Sequence, residues 1–211
     1  MRKIILILSM LMSGMIAKAQ LPGYAPIADL PKFKEQFAVV AQKTETIKSD
    51  FTQEKNLSML SEKIISKGSF CFKKDNLLRM EYTKPFEYLM ILNKDNMYIK
   101  DGQKESKVST KSNKLFQQIN KIIIGCVQGT VFSNPDFVSK VYENKNTYLV
   151  EMSPADKVLK EFFKTIDVII DKSDYEVTTI EMNENSGDNT IIRFTNREIN
   201  TTIPDAIFAI K

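Results

Sequence analysis

The chain has 211 residues, and its 30 lysines and arginines stand against 26 aspartates and glutamates, with no histidine. Without histidine the sequence lacks the usual general base of Ser/His and Cys/His catalysis and the commonest zinc ligand. No GxGxxG or P-loop pattern occurs either, so we predict a binding protein that is not an enzyme, with no cofactor and no metal.

The N-terminus has the pattern of a secretory signal peptide. A charged start is followed by an apolar run over residues 4–12, and Ala17-Lys18-Ala19 supplies the small residues of a cleavage site. We therefore predict a signal peptide at residues 1–19, a single domain at residues 20–211 and a location in the periplasm. Three basic residues would leave with the leader and reduce the net charge from +4 to about +1, which disfavours nucleic acid as a partner.

The predicted domain begins with a helix and a meander of strands. Asp29 and Pro31 open a helical pattern in which Phe33, Phe37 and Val40 form an apolar stripe, and the pattern ends near residue 43. Five strand segments follow at residues 46–55, 64–74, 77–83, 88–93 and 96–100. Turn residues between these segments predict antiparallel neighbours.

A second helical pattern interrupts the strands. Ser112 can cap this helix, and Gly125 and Gly129 would end it. Its apolar residues form one wide stripe: Leu115, Phe116, Ile119, Ile122, Ile123 and Cys126. Five more strand segments follow at residues 137–143, 148–152, 165–171, 177–183 and 190–195. The predicted fold is mainly β with two or three helices (α+β), in which an antiparallel sheet of roughly ten strands curls and has a concave side.

Apolar side chains share one face of two neighbouring predicted strands in the stretch GSFCFKKDNLLRMEYTKP, residues 68–85. Residues two apart in a strand point to the same face, which groups the following side chains: Phe70, Phe72, Leu78, Met80 and Tyr82. Each of them is either a wall of a binding cavity or ordinary packed core, and both interpretations stay open.

The two cysteines also leave two interpretations open. A bond between Cys71 and Cys126 would close a loop of about 55 residues and stabilise the fold by roughly 4 kcal/mol. The alternative is two buried free thiols. Because Cys71 alternates with Phe70 and Phe72, it points to the opposite face, which slightly disfavours the bond.

Three blocks of the sequence together resemble the LolA family of periplasmic outer-membrane lipoprotein carriers. They are DFTQEK at residues 50–55, the stretch at residues 68–85, and SGDNTIIRFTNREINTTIPDAIF at residues 186–208. The resemblance covers most of the predicted domain. It implies an incomplete antiparallel barrel whose apolar concave face is covered by a helical lid.

The resemblance also implies roles for particular residues. The lipid-binding cavity would be lined by Phe70, Phe72, Leu78, Met80, Tyr82, Ile91 and Met97. The lid would carry Leu115, Phe116, Ile119, Ile122 and Ile123. The family typically has an arginine that holds the lid through hydrogen bonds to backbone carbonyls, and here Lys74 would make that lid-closing contact. Lys74 alternates in step with Phe70 and Phe72 and so can project into the same cavity, while the alternative, a solvated surface lysine, stays open. A lysine lacks the planar fork of arginine, so the closed form would be held differently.

The function implied by the resemblance is transport of lipoproteins. A monomeric carrier would take acylated lipoproteins from an inner-membrane lipoprotein-releasing transporter to an outer-membrane lipoprotein acceptor. Two alternatives stay open: a carrier or sensor of another apolar ligand, such as a glycolipid or pigment-like molecule, or an envelope-stress module that binds a protein partner.

Overall fold

In the residues that the structure describes, the architecture is a single large antiparallel sheet with three α-helices. A computed structural model describes residues 23–60, 62–110 and 122–210. The strands are β1 (Ala25–Pro26), β2 (Thr46–Asn56), β3 (Lys63–Lys73), β4 (Leu77–Lys84), β5 (Tyr88–Asn93), β6 (Asn96–Asp101), β7 (Lys104–Ser109), β8 (Phe137–Glu143), β9 (Thr147–Pro154), β10 (Phe163–Asp171), β11 (Val177–Glu184) and β12 (Asn189–Ile199). Their order across the sheet is β1-β8-β9-β10-β11-β12-β2-β3-β4-β5-β6-β7.

The sheet is open, because β1 and β7 form its two edges and do not pair with each other. The predicted class, an incomplete antiparallel barrel with helices, is confirmed, with twelve strands where about ten were expected. The two additional strands lack apolar alternation: β1 has only two residues, and β7 reads KESKVS. All ten predicted strands are present.

Three helices accompany the sheet. α1 (Leu30–Lys43) begins after Asp29, whose carboxylate accepts a hydrogen bond from the Lys32 amide at 3.0 Å. The described part of α2 covers residues 122–128. α3 (Lys157–Phe162) is capped by Asp156 and was not predicted, since six residues are too few to show helical periodicity. No helix in the described residues is long and apolar enough to cross a membrane.

The concave face is filled from two sides by hydrophobic clusters. The first inner cluster joins α1 and α2 to β8–β11 and contains Phe33, Phe37, Ile122, Cys126, Val131, Phe137, Val150, Met152, Leu159, Phe163, Ile166, Val168, Ile170 and Ile180. The second inner cluster lies on β2–β5, where side chains of α2 pack against Phe51, Phe70, Phe72, Leu78, Met80 and Leu92. Phe194 of β12 packs against both clusters and lies between them.

The outer face of β3–β5 is also covered. The segment after β12 returns across it and buries Ile203 and Phe208 against Ile91 and Tyr98. Arg79 donates a hydrogen bond to the carbonyl of Ile207 at 3.1 Å, which holds the segment in place. Ile91 therefore faces the outer side of the sheet, and the prediction that it lines the concave cavity is wrong. The sequence pattern could not separate the two sides, because apolar residues of β5 are buried on both.

Three acidic side chains cross the outer face of β9–β11 in a row. Asp167 stands directly opposite Glu151 on β9 and Glu181 on β11. Asn183 donates to Asp167 Oδ2 at 3.1 Å, while Asp167 Oδ1 is buried without a partner among the described residues. Burial, followed by the charges of Glu151 and Glu181, raises the pKa of Asp167 to about 7.

Asp167→Asn should make the fold more stable at pH 8. The pKa of Asp167 in the folded chain, about 7, lies above its ordinary value of 3.8, so its contribution to stability is complete below pH 3.8 and is lost as the pH rises through 7. Asparagine removes the charge and can still accept from Asn183. Because Asp167 is partly exposed, solvent screens its charge and reduces the effect. We expect the free energy of unfolding to rise by about 1 kcal/mol at pH 8 and to change little at pH 4. Urea unfolding at both pH values measures this, and an equal change at both would contradict it.

Candidate functional site

A small cavity lies on the concave face between the two inner clusters. Its volume is about 60 Å³. Both helices α1 and α2 and four strands supply its mostly apolar walls. The lining residues are Phe37, Val40, Ala41, Thr44, Ile47, Ser49, Phe70, Ile123, Cys126, Val127, Tyr175, Glu176, Val177, Ile180, Phe194, Arg197 and Ile199.

The two helices that roof the cavity touch each other at Gly129. α2 ends there with a φ of 71°, in the left-handed region that glycine adopts without strain. A methyl group on Gly129 would lie 2.8 Å from the Cβ of Ala41 on α1. A glycine at this position therefore ends α2 and lets α1 and α2 approach closely.

The end of α1 beside the cavity is tied to the sheet by two polar side chains. Asn200 donates to the carbonyl of Lys43 at 3.0 Å and accepts from the amide of Glu45 at 2.7 Å. Lys74 donates to the carbonyl of Gln42 at 3.3 Å and to the carboxylate of Glu45 at 2.6 Å. The last carbonyls of a helix have no partner within the helix, so these bonds satisfy groups that would otherwise depend on water.

One end of the cavity is polar because a β-bulge redirects Arg197. Between its pairs at Thr195 and Glu198, β12 has one residue more than β2 opposite Ser49. Asn196 in this bulge has a φ of 52°. The additional residue shifts the alternation of side chains by one place, so Arg197 faces the cavity.

Arg197 meets two carboxylates of the turn between β10 and β11. Its Nη2 lies 2.9 Å from Asp174 Oδ2, and its Nη1 lies 3.3 Å from Glu176 Oε2. Burial first, and then the charge of Asp174, raises the pKa of Glu176, although Arg197 opposes this shift. The polar end of the cavity therefore holds one cation and two acidic groups, and the arginine side chain is only 18% exposed.

Six of the seven residues predicted to line the cavity lie on the concave face: Phe70, Phe72, Leu78, Met80, Tyr82 and Met97. Phe70 reaches the cavity wall. Phe72 and Leu78 are packed in the second inner cluster with 1% of their surface exposed. The hydroxyl of Tyr82 donates to Gln53 at 2.9 Å, and burial raises the pKa of Tyr82 to about 12. Whether these residues bind lipid stays a prediction.

The predicted lid stripe is described in part. Leu115, Phe116 and Ile119 lie outside the described residues. Ile123 lines the cavity, whereas Ile122 is 5% exposed and belongs to the first inner cluster. α2 thus presents different side chains to the cavity and to the core.

Lys74 does not project into the cavity, which corrects the prediction. It follows the last residue of β3, where the chain turns and strand alternation no longer applies, and its side chain is 43% exposed. Among the described residues, its side chain contacts Gln42 and Glu45 at the end of α1. A role for Lys74 in closing the roof therefore concerns α1, and this role stays a prediction.

No disulfide joins Cys71 and Cys126, and both are free thiols. Cys71 packs against the outer-face cluster under the C-terminal segment, whereas Cys126 is buried in the first inner cluster. Burial raises the pKa of Cys126 to about 12, so this thiol stays protonated. In the described part of the chain, no group of three or more histidine, cysteine or acidic side chains could hold a metal ion.

Several cavity residues were not identified from the sequence. Ile47 and Ser49 follow the same alternation as Phe51, so a consistent interpretation of β2 would have placed them on the concave face. Arg197 gave no such signal, because the bulge interrupts the alternation of β12. Tyr175 and Glu176 belong to a turn, where strand periodicity carries no information.

An open antiparallel barrel with an apolar cavity under two helices defines a class of ligand-binding proteins. Residues 42–211 match the family described as "Outer membrane lipoprotein carrier protein LolA", and the chain belongs to this family. No curated protein matches the sequence.

Solved structures share the fold at low sequence identity. A LolA superfamily protein from Nitrosomonas europaea is 9% identical with a TM-score of 0.46, and the match covers 85% of this chain and 96% of that protein. An uncharacterized conserved protein from Thermus thermophilus is 7% identical with a TM-score of 0.50, over 84% of this chain and 90% of that one. MucB is 11% identical with a TM-score of 0.50, over 88% of this chain and 64% of MucB.

Gly129→Ala should lower the free energy of unfolding more than the same substitution at a glycine outside the contact between α1 and α2. Gly102 in the turn between β6 and β7 is the matched control: its φ is 59°, and a methyl group there meets nothing within 4 Å among the described residues. Both substitutions introduce left-handed strain of about 1 kcal/mol. Gly129→Ala adds the collision with Ala41, for which we expect a further loss of about 1 kcal/mol.

Urea unfolding of the two glycine variants measures the difference in stability. Hydrogen exchange should show faster exchange at the end of α1 in Gly129→Ala alone. Equal losses of stability in the two variants would contradict a tight contact between α1 and α2.

Proposed function

We propose that the protein is a periplasmic carrier that shelters the acyl chains of lipoproteins on its concave face and moves them from the inner to the outer membrane. The supporting observation is an apolar cavity roofed by two helices, in a chain that belongs to the LolA family. Its proposed partners are acylated lipoproteins, an inner-membrane lipoprotein-releasing transporter and an outer-membrane lipoprotein acceptor, and the carrier acts as a monomer.

The size of the cavity requires the roof to move during binding. Pockets for small ligands usually measure about 300–1,000 Å³, whereas this cavity measures about 60 Å³. An acyl chain therefore fits only when the helices separate from the sheet. Val40, Ile123 and Val127 line the roof, so separating the roof from the sheet exposes apolar surface. The entering acyl chain then covers this surface.

The proposed driving force is burial of hydrocarbon. Each CH₂ group removed from water contributes about 0.8 kcal/mol, so one acyl chain gains on the order of 10 kcal/mol. Part of this gain offsets the cost of opening the roof, since a protein that is mostly closed binds its ligand with reduced apparent affinity. A roof that separates easily therefore favours loading.

The proposed mechanism involves binding and release without covalent chemistry. A carrier with no energy source of its own cannot set a direction, so transfer follows differences in affinity between donor, carrier and acceptor. An acceptor with a more apolar site than this cavity would draw the chains away. The polar end at Arg197 is consistent with a carrier whose affinity is limited.

Release of lipoproteins from membranes tests this function. Residues 20–211 are purified and added to spheroplasts of the host, and the material that becomes soluble with the protein is identified by mass spectrometry. We expect acylated lipoproteins in a one-to-one complex. Val127→Glu should abolish recovery, because it places a carboxylate without a cationic partner in the apolar part of the wall, where the hydrocarbon chain would lie.

Gln128→Glu is the matched control, since it places the same charge on the neighbouring residue of α2, which does not line the cavity. It should release lipoproteins as the wild type does. Recovery of a free lipid or pigment would keep the cavity and change the cargo, and recovery of a protein without acyl chains would replace the proposal by a protein-binding module.

A further inference from the structure

Two polar side chains in the cavity wall have hydrogen-bonding groups without partners. Ser49 is 3% exposed, and its Oγ has no hydrogen-bond partner among the described residues. The Nη1 of Arg197 is also buried without a hydrogen bond in the described part of the chain, because its 3.3 Å approach to Glu176 lacks hydrogen-bond geometry. Both residues line the same cavity.

Leaving these groups unpaired is costly. A buried polar group without a hydrogen bond costs about 1–3 kcal/mol, and at Nη1 the charge of Glu176 at 3.3 Å offsets part of this cost. An alanine in place of Ser49 would avoid the penalty of the unpaired hydroxyl. Regular pairing in β12 would turn Arg197 outward and avoid the penalty of its Nη1. Ser49 is the β2 residue opposite the bulge that contains Arg197. One hydrogen-bond acceptor in the cavity beside them could therefore pair with both groups.

We propose that Ser49 and Arg197 bind the carbonyl oxygen of an acyl group whose hydrocarbon chain occupies the apolar part of the cavity. The inference rests on the proposed function, because it names the part of the acylated cargo that this end of the cavity recognises. Esters and amides share this oxygen, so both ester-linked and amide-linked acyl groups have the required chemistry.

The charges around Arg197 select a neutral oxygen. Asp174 and Glu176 already provide two acidic groups for one guanidinium. Burial together with the neighbouring carboxylate raises the pKa of Glu176, so the site already disfavours negative charge. A free fatty acid would add another carboxylate, whereas an ester or amide carbonyl adds none.

The bulge in β12 serves this recognition. With regular alternation after Thr195, Arg197 would face the outside of the sheet. The extra residue turns the guanidinium inward, and the turn between β10 and β11 supplies Asp174 to hold it through Nη2. Nη1 is thereby left to donate to a ligand.

Binding of two matched lipids tests the proposal. 1-Myristoylglycerol has an ester carbonyl, and 1-O-tetradecylglycerol has a similar chain and the same glycerol with an ether in its place. Affinities are measured by calorimetry on residues 20–211. We expect the wild type to prefer the ester by about tenfold, the value of one hydrogen bond from a charged donor. Myristate should bind more weakly than the ester.

Ser49→Ala is the decisive variant, since the hydroxyl it removes has no partner among the described residues. Its urea midpoint should equal or exceed that of the wild type, while its preference for the ester falls about threefold. Arg197→Lys keeps the positive charge and loses the forked donor, and it should lower the preference further.

The outcomes separate this inference from the proposed function. Equal binding of ester and ether by the wild type overturns the carbonyl assignment and leaves acyl binding intact. An equal loss of both lipids in Ser49→Ala also overturns it, because that result indicates packing. Tighter binding of myristate than of the ester overturns the assignment of a neutral oxygen. Failure of both glycerol lipids to bind the wild type would reject the proposed function together with this inference.

Discussion

An open twelve-stranded sheet has an apolar concave face that its own strands cannot cover, and the rest of the molecule depends on this constraint. Burial of that face requires separate elements, which α1 and α2 supply. They complete a core on each side, and a small cavity is left where the two clusters meet at Phe194. The same constraint therefore produces stability and a site that could open.

The outer face of β3–β5 is covered by another part of the chain. The C-terminal segment buries Ile203 and Phe208 against β3–β5, with hydrogen bonds from Arg79 and Asn93 to its carbonyls. The outer face of β3–β5 is therefore packed against the C-terminal segment, and this packing does not involve α1 or α2. In the proposed opening, separation of the helices would leave β3–β5 covered on one face and would not expose both sides of this part of the sheet.

The sequence predicted the fold well because the relevant signals are local. Alternation identified ten strands, and the stripe of Phe33, Phe37 and Val40 identified α1. The strands that it missed, β1 and β7, are stabilised by pairing with a neighbour and carry no apolar pattern of their own. Alternation also could not say which face was concave where both faces are buried, and this is why Ile91 was misplaced.

The candidate site was less predictable because its defining features depend on contacts distant in sequence. Lys74 was assigned by alternation just beyond the strand in which alternation holds. Arg197 escaped notice because a bulge changed its direction. A bulge depends on the register between β12 and β2, which no short stretch of the sequence reveals.

The polar end of the cavity answers a problem that apolar walls leave unsolved. Hydrophobic burial has no direction, so it can hold a hydrocarbon chain without fixing which end points where. A partly buried arginine with two carboxylates is a poor way to gain stability, since well-packed apolar residues often stabilise a fold as much or more. In the proposed site its value would be geometric, because a directed hydrogen bond specifies one position along a chain that is otherwise uniform. In the site we propose, the apolar wall would supply affinity, and Arg197 with Ser49 would supply orientation.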